Sequence, residues 1–166
     1  MNTLKIGVLS DTHLAGPTDL FTKQVSLCFS DVSMIIHAGD LTDMSVLSAF
    51  GDREIHAVHG NMCRQSAWSM LPKKKVIQAG AFKIGIIHNT GFSYNFEDQL
   101  VNEFDEAVDC IVYGHTHIPT CHTVGPLLYL NPGSFMPTGR HGSPGAYAIL
   151  EAGNQLHGNI FEVPRL

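Results

Sequence analysis

The apolar positions of this chain fall mostly in short runs of strand length, separated by clusters of Gly, Asp, Asn, Ser and His. "LKIGVL" (4–9) is apolar and partly β-branched and reads as a buried strand. "DLFTKQVSLCF" (19–29) places Leu20, Val25, Leu27 and Cys28 near one helical face, with Asp19 as the helix start. "SMIIHAG" (33–39) and "IHAVHG" (55–60) read as two further strands, with a short helix over 42–50 between them, stopped at Gly51. This β-α-β-α-β order predicts parallel strands joined by crossover helices.

The pattern then changes. "KKVIQA" (74–79) and "FKIGIIH" (82–88) flank Gly80 and predict a hairpin. Residues 95–107 are amphipathic, with Phe96, Leu100 and Phe104 four apart. "DCIVYG" (109–114) reads as another buried strand. Beyond it "CHTV", "LLYLNPGS", "GAYAILEA" (145–152) and "LHGNIFEV" (156–163) predict a β-rich meander. No repeat, linker or low-complexity segment interrupts residues 1–166, so one mixed α/β domain is expected.

In open α/β sheets function collects beyond the carboxyl ends of strands. Here the strand ends carry Asp11 and His13 ("SDTH"), Asp40 ("HAGD"), Asn61 ("HGN"), His88 ("IIH"), and His115 with His117 ("GHTH"). Any one of these could simply cap a loop. Together they are two carboxylates, four imidazoles and one amide oxygen, a donor set that suits divalent Mn, Fe, Ni or Zn. Seven donors are too many for one ion and suit two ions that share a carboxylate. Residues i and i+2 of an extended segment point the same way, so Asp11 with His13, and His115 with His117, can each converge. The glycines before Asp40, Asn61 and His115 are expected to let the backbone turn sharply as it leaves each strand. Two divalent ions against two carboxylates leave a positive site, which attracts phosphate and acidifies bound water.

"DTH", "GD", "GN", a lone strand-end His and "GHTH", in this order and spacing, resemble the calcineurin-like metallophosphoesterase family. The short chain and "NPGS" (131–134) resemble its small prokaryotic phosphodiesterase branch. The resemblance spans Asp11 to about residue 160 and implies a single-domain four-layer α/β/β/α sandwich of two mostly mixed sheets. It also implies one ion held by Asp11, His13, Asp40 and His117, and a second held by Asp40, Asn61, His88 and His115. The implied cofactor is a pair of divalent ions, manganese first, with iron, nickel or zinc as alternatives. The implied reaction is attack on a phosphodiester by a hydroxide between the ions, with Asp40 and Asn61 in the catalytic set. Arg140, a short spacer after "NPGS", matches a position where the branch often has an arginine and could clamp a phosphate oxygen. Asn131–Ser134 reads as a turn supporting the site, since no His-Asp partners accompany the serine.

Two departures from the family pattern stand out. Many members read G-N-H-[DE] at the third element, and the small branch usually reads G-N-C-D; this chain has Gly60-Asn61-Met62-Cys63. Met62 cannot donate a proton to a leaving group, so diesters and activated aryl esters are expected to outrun simple monoesters. "HNTGF" also departs from the usual His-Gly at the fourth element, which bears on the loop more than on His88. Inside strands, His37 and His59 read as hydrogen-bonded histidines or as groups that orient a ligand, and His59 could stand in for the missing acid. Trp68 and Met70 read as a patch capping the core.

Composition narrows the partners. With 44% apolar and 15% charged residues and a net charge of -5, the chain is neither disordered nor a general nucleic-acid binder. "KKK" (73–75) reads as a solvated strand edge. Four scattered cysteines form no C-x-x-C pair, and no leader pattern or apolar run of about 18 residues is visible. A cytoplasmic protein with reduced thiols and no membrane partner is expected, acting on a small phosphate ester and open to homo-oligomerisation. A eukaryotic retromer coat subunit uses this fold chiefly as a protein-binding scaffold, having lost part of the metal set. The intact seven positions here favour an enzyme; a phosphomonoesterase or nucleotide hydrolase is the other alternative.

Overall fold

The strand-length apolar runs become two five-stranded sheets packed face to face. A computed structural model describes residues 2–89, 91, 96–137 and 144–166. In chain order the elements are β1 (Leu4–Leu9), α1 (Asp19–Cys28), β2 (Met34–His37), a 3-10 helix (Met44–Phe50), β3 (Glu54–Ala57), α2 (Gln65–Met70), β4 (Lys74–Ala79), β5 (Phe82–Ile87), α3 (Phe96–Asn102), β6 (Cys110–Val112), β7 (Thr120–Val124), β8 (Leu127–Asn131), β9 (Ala146–Ala152) and β10 (Leu156–Glu162). The first sheet runs β10-β9-β1-β2-β3 and the second β4-β5-β6-β8-β7.

Three apolar clusters separate four layers. Ile6, Val8, Ile36 and Leu150 of the first sheet meet Ile84, Ile86, Val112 and Leu130 of the second. Phe21, Val25 and Cys28 of α1, with Val46 and Phe50 of the 3-10 helix, cover the outer face of the first sheet at Leu9 and Ile35. Leu100 of α3 covers the second sheet at Ile87, Ile111 and Tyr129. This is the expected α/β/β/α arrangement.

β1, β2 and β3 are parallel, with Ile6 opposite Met34 and Ile35 opposite Ile55, as the alternation of runs implies. α1 buries Phe21, Val25 and Cys28, while Leu20 and Leu27 are exposed. The buried three lie within about 60° of one another at 3.6 residues per turn, a tighter stripe than the expected set. The helix starts at Asp19, as expected, and Thr18 before it is the cap, its hydroxyl accepting from the Phe21 amide at 3.1 Å. Within the described residues α3 is shorter than the expected 95–107. After Asn102 the amides of Glu103 and Phe104 bond to Leu100 and Val101, three residues back, and the helix closes.

The tail is not a meander. β7 and β8 join the second sheet, where β8 lies parallel to β6, whereas β9 returns to the first sheet antiparallel to β1 and carries β10 with it. The period-2 burial of β9 explains its place. Ala148 and Leu150 enter the core between the sheets, and Tyr147 and Ile149 face the α1 layer. β4, which begins with Lys74 and Lys75, is an edge strand, as the lysine run suggested.

Candidate metal centre

Parallel pairing puts the carboxyl ends of β1, β2 and β3 at one edge of the first sheet, and those of β5 and β6 at one edge of the second. Loop hydrogen bonds lock these ends together. Asp11 N–H donates to Gly39 O and His13 N–H to Asp40 O, each at 2.9 Å, and Gly114 N–H donates to His88 O at 3.1 Å. Between the sheets, His88 Nδ1 donates to Ala38 O at 2.7 Å and His115 N–H donates to Asp11 Oδ2 at 3.2 Å. The seven strand-end residues thus come from both sheets to one place.

They form two groups. Asp11 Oδ1 stands 3.0 Å from His117 Nε2 and 3.6 Å from His13 Nε2, and the two imidazole nitrogens are 3.5 Å apart. In the second group His88 Nε2 lies 3.2 Å from Asp40 Oδ2 and 3.1 Å from Asn61 Oδ1, and Asn61 Oδ1 lies 3.0 Å from His115 Nδ1. The donor atoms of Asp11, His13 and His117 all fall within 4.8 Å of one another, as do those of Asp40, His88 and His115. Metal–N and metal–O bonds of about 2.0–2.2 Å place adjacent donors roughly 2.8–3.6 Å apart, so these spacings fit shared ions. The proton count agrees. With Nδ1–H spent on Ala38, His88 Nε2 faces two oxygens, an arrangement that a cation at this point satisfies, either a proton on Nε2 or a metal ion between the three atoms.

Each carboxylate has its outer oxygen fixed by protein donors and its inner oxygen free for the site. Asp11 Oδ2 accepts from Ser10 Oγ at 2.6 Å and from the His115 amide, while Oδ1 faces the histidines. Asp40 Oδ1 accepts from the Met62 amide at 2.7 Å, while Oδ2 faces His88.

The backbone is strained where these side chains leave it. Six non-glycine residues among those described have positive φ, and five are site residues: Asp11 (54°), His13 (49°), Asp40 (56°), His115 (71°) and His117 (59°). Such conformations disfavour Cβ-bearing residues and gather at functional sites.

A model of the calcineurin-like phosphoesterase superfamily domain matches residues 4–155. The chain belongs to the calcineurin-like phosphoesterase superfamily. Among similar proteins, the probable metallophosphoesterase of Methanocaldococcus jannaschii is 38% identical over 136 residues, 80% of this chain and 68% of that protein. A phosphodiesterase of the same organism is 29% identical over 78% of this chain and 83% of its own length. Among solved structures, an uncharacterized phosphoesterase from Streptococcus pneumoniae TIGR4 gives a TM-score of 0.73 at 24% identity, covering 98% of this chain and 91% of that one. Vps29 of Entamoeba histolytica, complexed with Zn²⁺, gives a TM-score of 0.69 at 19% identity, covering 97% and 100%. At these identities the likeness is one of fold. Calcineurin-like phosphoesterases use divalent metals to hydrolyse phosphoric esters, and the two donor groups suit that chemistry.

The electrostatics of this calcineurin-like site follow from burying carboxylates among imidazoles. Burial alone would raise Asp11, but hydrogen bonds from His13 and Ser10 and the charges of His88 and His117 bring it down to about 2. The hydrogen bond to Asp11 raises His13. Burial lowers His115, whereas in His88 the opposing pull of Asp40 and Asp11 overcomes burial and raises it. His37 is fully buried and burial pushes it down to about 4. It accepts from the Gly39 amide at 3.2 Å through Nδ1, which leaves Nε2–H to donate to Thr12 Oγ1 at 3.1 Å. That pair of bonds ties the β1 and β2 loops together, an orienting role of the kind its sequence position suggested.

The glycines serve close approach more than turning. Of the three that precede Asp40, Asn61 and His115, only Gly39 has positive φ, at 103°. A Cβ at Gly60 would collide with Asp40 Oδ1 and lie 2.6 Å from the Asp40 amide nitrogen. A Cβ at Gly114 would collide with Ser10 Oγ and lie 2.9 Å from Asp11 Oδ2.

"NPGS" braces the site from below. Asn131 Nδ2 donates to Gly114 O at 3.1 Å and to Thr116 Oγ1 at 2.9 Å, and Ser134 Oγ sits 3.1 Å from Asp11 O. Sequence reasoning missed Ser10, Thr12 and the Met62 amide as supports. Only the position of Ser10 beside Asp11 hinted at any of them. Arg140 lies outside the described residues. Trp68 and Met70 do not cap the core: they are 53% and 68% exposed, and Trp68 instead stacks on His59 with ring centroids 4.0 Å apart. No described helix is long and apolar enough to cross a membrane, and all four cysteines are free.

Proposed function

We propose that this chain is a dinuclear metal-dependent phosphodiesterase. The observation that carries the reading is the convergence of seven donors in two groups with spacings suited to metal coordination. Asp11, His13 and His117 would hold one ion, and Asn61, His88 and His115 the other, with Asp40 shared. Manganese is the first expectation for both. When bound, such ions supply positive charge that binds phosphate and makes water a nucleophile near neutral pH.

The protein's own contribution is positioning. His88 is oriented by Ala38 O, Asp40 by the Met62 amide, and Asp11 by Ser10, so the donors need little reorganisation when the site fills. Asn61 Oδ1 faces both His88 and His115, which supports counting its amide oxygen in the catalytic set. Arg140 completes the proposed set as a clamp for a phosphate oxygen.

Met62 favours esters with good leaving groups. Its amide is committed to Asp40, and its side chain is 58% exposed and carries no proton to give. A leaving alkoxide of high pKa therefore receives no help from this position, whereas activated aryl diesters need none. The test is hydrolysis of bis(p-nitrophenyl) phosphate by metal-stripped protein with Mn²⁺ added back, beside p-nitrophenyl phosphate. The expected result is Mn²⁺-dependent diester turnover well above monoester turnover. Equal or faster monoester turnover would overturn the diester preference, and no turnover with any divalent ion would favour a binding protein on this fold.

A further inference from the structure

A cleft of about 340 Å³ opens beside the second donor group, lined by His59, Gly60, Asn61, Trp68, Lys73, His88 and Asn89. Two of its walls, Asn61 and His88, are candidate ligands, so the cleft is continuous with the site. Its volume falls within the range of small-molecule sites. The wall formed by Trp68 is unusual. The indole is 53% exposed although one face lies against His59 at an interplanar angle of 27°. Its N–H donates to Gly60 O at 3.2 Å, which fixes the ring and uses its only donor. What the ring still offers a ligand is its π surface. Lys73, whose Nζ lies 3.1 Å from Glu103 Oε2, adds positive charge at the same cleft.

We propose that this cleft is a substrate subsite for a planar aromatic ester group, an aryl or nucleoside group that stays on phosphorus during hydrolysis. The inference rests on the phosphodiesterase reading. In an in-line displacement the leaving group departs opposite the nucleophile. A cleft to one side of the ligand cluster therefore receives a retained substituent. Trp68 is the stacking platform, His59 packs on the indole and helps fix it, and Lys73, paired with Glu103, brings a cationic head to the cleft wall.

Trp68 is the only tryptophan in the chain, so tryptophan emission, excited at wavelengths where the four tyrosines do not absorb, reports on the cleft alone. Adding thymidine 5′-monophosphate to the protein supplied with Mn²⁺ is expected to quench that emission saturably, and inorganic phosphate to leave it nearly unchanged. For kinetics, the p-nitrophenyl esters of thymidine 5′-phosphate, phenyl phosphate and methyl phosphate release the same p-nitrophenolate and differ only in the retained group. Stacking of a base on an aromatic side chain is worth about 1–3 kcal/mol, so Trp68→Ala should lower kcat/KM for the aromatic esters roughly 5- to 150-fold relative to the methyl ester. The loss should fall mainly on KM, and Trp68→Phe should recover most of it. Loss on the thymidine ester alone identifies a nucleoside site, and loss on both aromatic esters a general aryl site. An equal loss on all three esters, or no quenching by the nucleotide, overturns the subsite. Failure of wild-type protein to cleave any of the three overturns the diesterase reading instead, and the quenching then decides the cleft by itself.

Discussion

Gly60→Ala is a one-methyl test of the whole arrangement. Gly60 precedes Asn61 and lies against Asp40, the residue expected to serve both ions. A Cβ there would overlap Asp40 Oδ1 and stand 2.8 Å from Asp40 Cγ. Because the Asp40 backbone is held by the His13 amide and its carboxylate by the Met62 amide, the side chain has little slack. Relief of the overlap requires the carboxylate to retreat by roughly an ångström, given ordinary carbon contact distances. A metal–oxygen bond is about 2 Å long, so such a shift removes the ligand. The expected loss of Mn²⁺ affinity is at least the ~10- to 100-fold seen when supporting groups of metal ligands are removed. At a metal concentration about 100 times the wild-type Kd, binding stabilises the fold by ~2.7 kcal/mol; a 100-fold weaker site leaves about 0.4 kcal/mol. At about 2–4 °C per kcal/mol for a chain of this size, the Mn²⁺-induced rise in Tm should shrink by roughly 5–9 °C. Thermal unfolding with and without Mn²⁺, together with calorimetric titration, measures both quantities. Gly80→Ala is the control. Its φ of 59° makes alanine there the more strained backbone change, since Gly60 has no positive φ, but nothing lies within 4 Å of the added Cβ, so a loss of metal affinity confined to Gly60→Ala reports on Asp40. The reasoning is refuted if Gly60→Ala binds Mn²⁺ with wild-type affinity and stoichiometry.

Two further perturbations probe the supports. His37 is buried and its pKa falls to about 4 from 6.5. A depressed folded-state value means the unfolded chain binds the extra proton first, so stability is full above pH 6.5 and is lost as pH falls toward 4. The loss in metal-free protein is on the order of 3 kcal/mol. His37→Gln should flatten that segment of a Tm-against-pH curve, and an unchanged slope would remove His37 from the account. Asn131→Leu keeps the branched shape of the buried side chain, though not its volume, and strips the donor from Gly114 O and Thr116, which should cost about 1–3 kcal/mol and weaken Mn²⁺ binding roughly 10-fold or more. A stability loss with intact metal affinity would show that the "NPGS" turn supports the fold and not the centre.

The parts of this molecule legible in its sequence are those set by local pattern. The run "LKIGVL" became β1 over the same residues, and the hairpin around Gly80 formed as its composition implied. The seven donors were legible because each stands at a strand end, and parallel pairing carries strand ends to one edge. The placements that failed depend on partners far along the chain. Nothing in "GAYAILEA" says that β9 will cross to the first sheet. It does so because β1 offers an open edge between two cores, and the alternating burial of β9 fills both. Trp68 was misread for the same reason. An aromatic residue after a strand is usually covered, and only the tertiary contact with His59 shows it serving as a wall beside the site.

The least legible feature is the backbone at the ligands, and it bears on how the centre works. Asp11, His13, Asp40, His115 and His117 are not residues a designer would choose for φ near +50 to +70°, yet glycine there would bring no ligand. The strain, about 1–3 kcal/mol at each such residue, has to be offset by structure around it. The offsets are visible: Asp11 and His13 amides on β2-loop carbonyls, Asn131 on Gly114 O, Ser134 beside Asp11 O, and a phenylalanine cluster under the β1 loop. A tight αL turn lets consecutive short segments present i and i+2 side chains inward without lengthening the loop. The second residue of each pair then reaches the donor group that its neighbour begins. The same tightness explains the small residues around it, since Gly60 and Gly114 are the points where two such turns pass closest to a carboxylate. Strain at the ligands and glycine at their neighbours are therefore one requirement, that five chain segments approach a single point closely enough for their donors to stand about 3 Å apart.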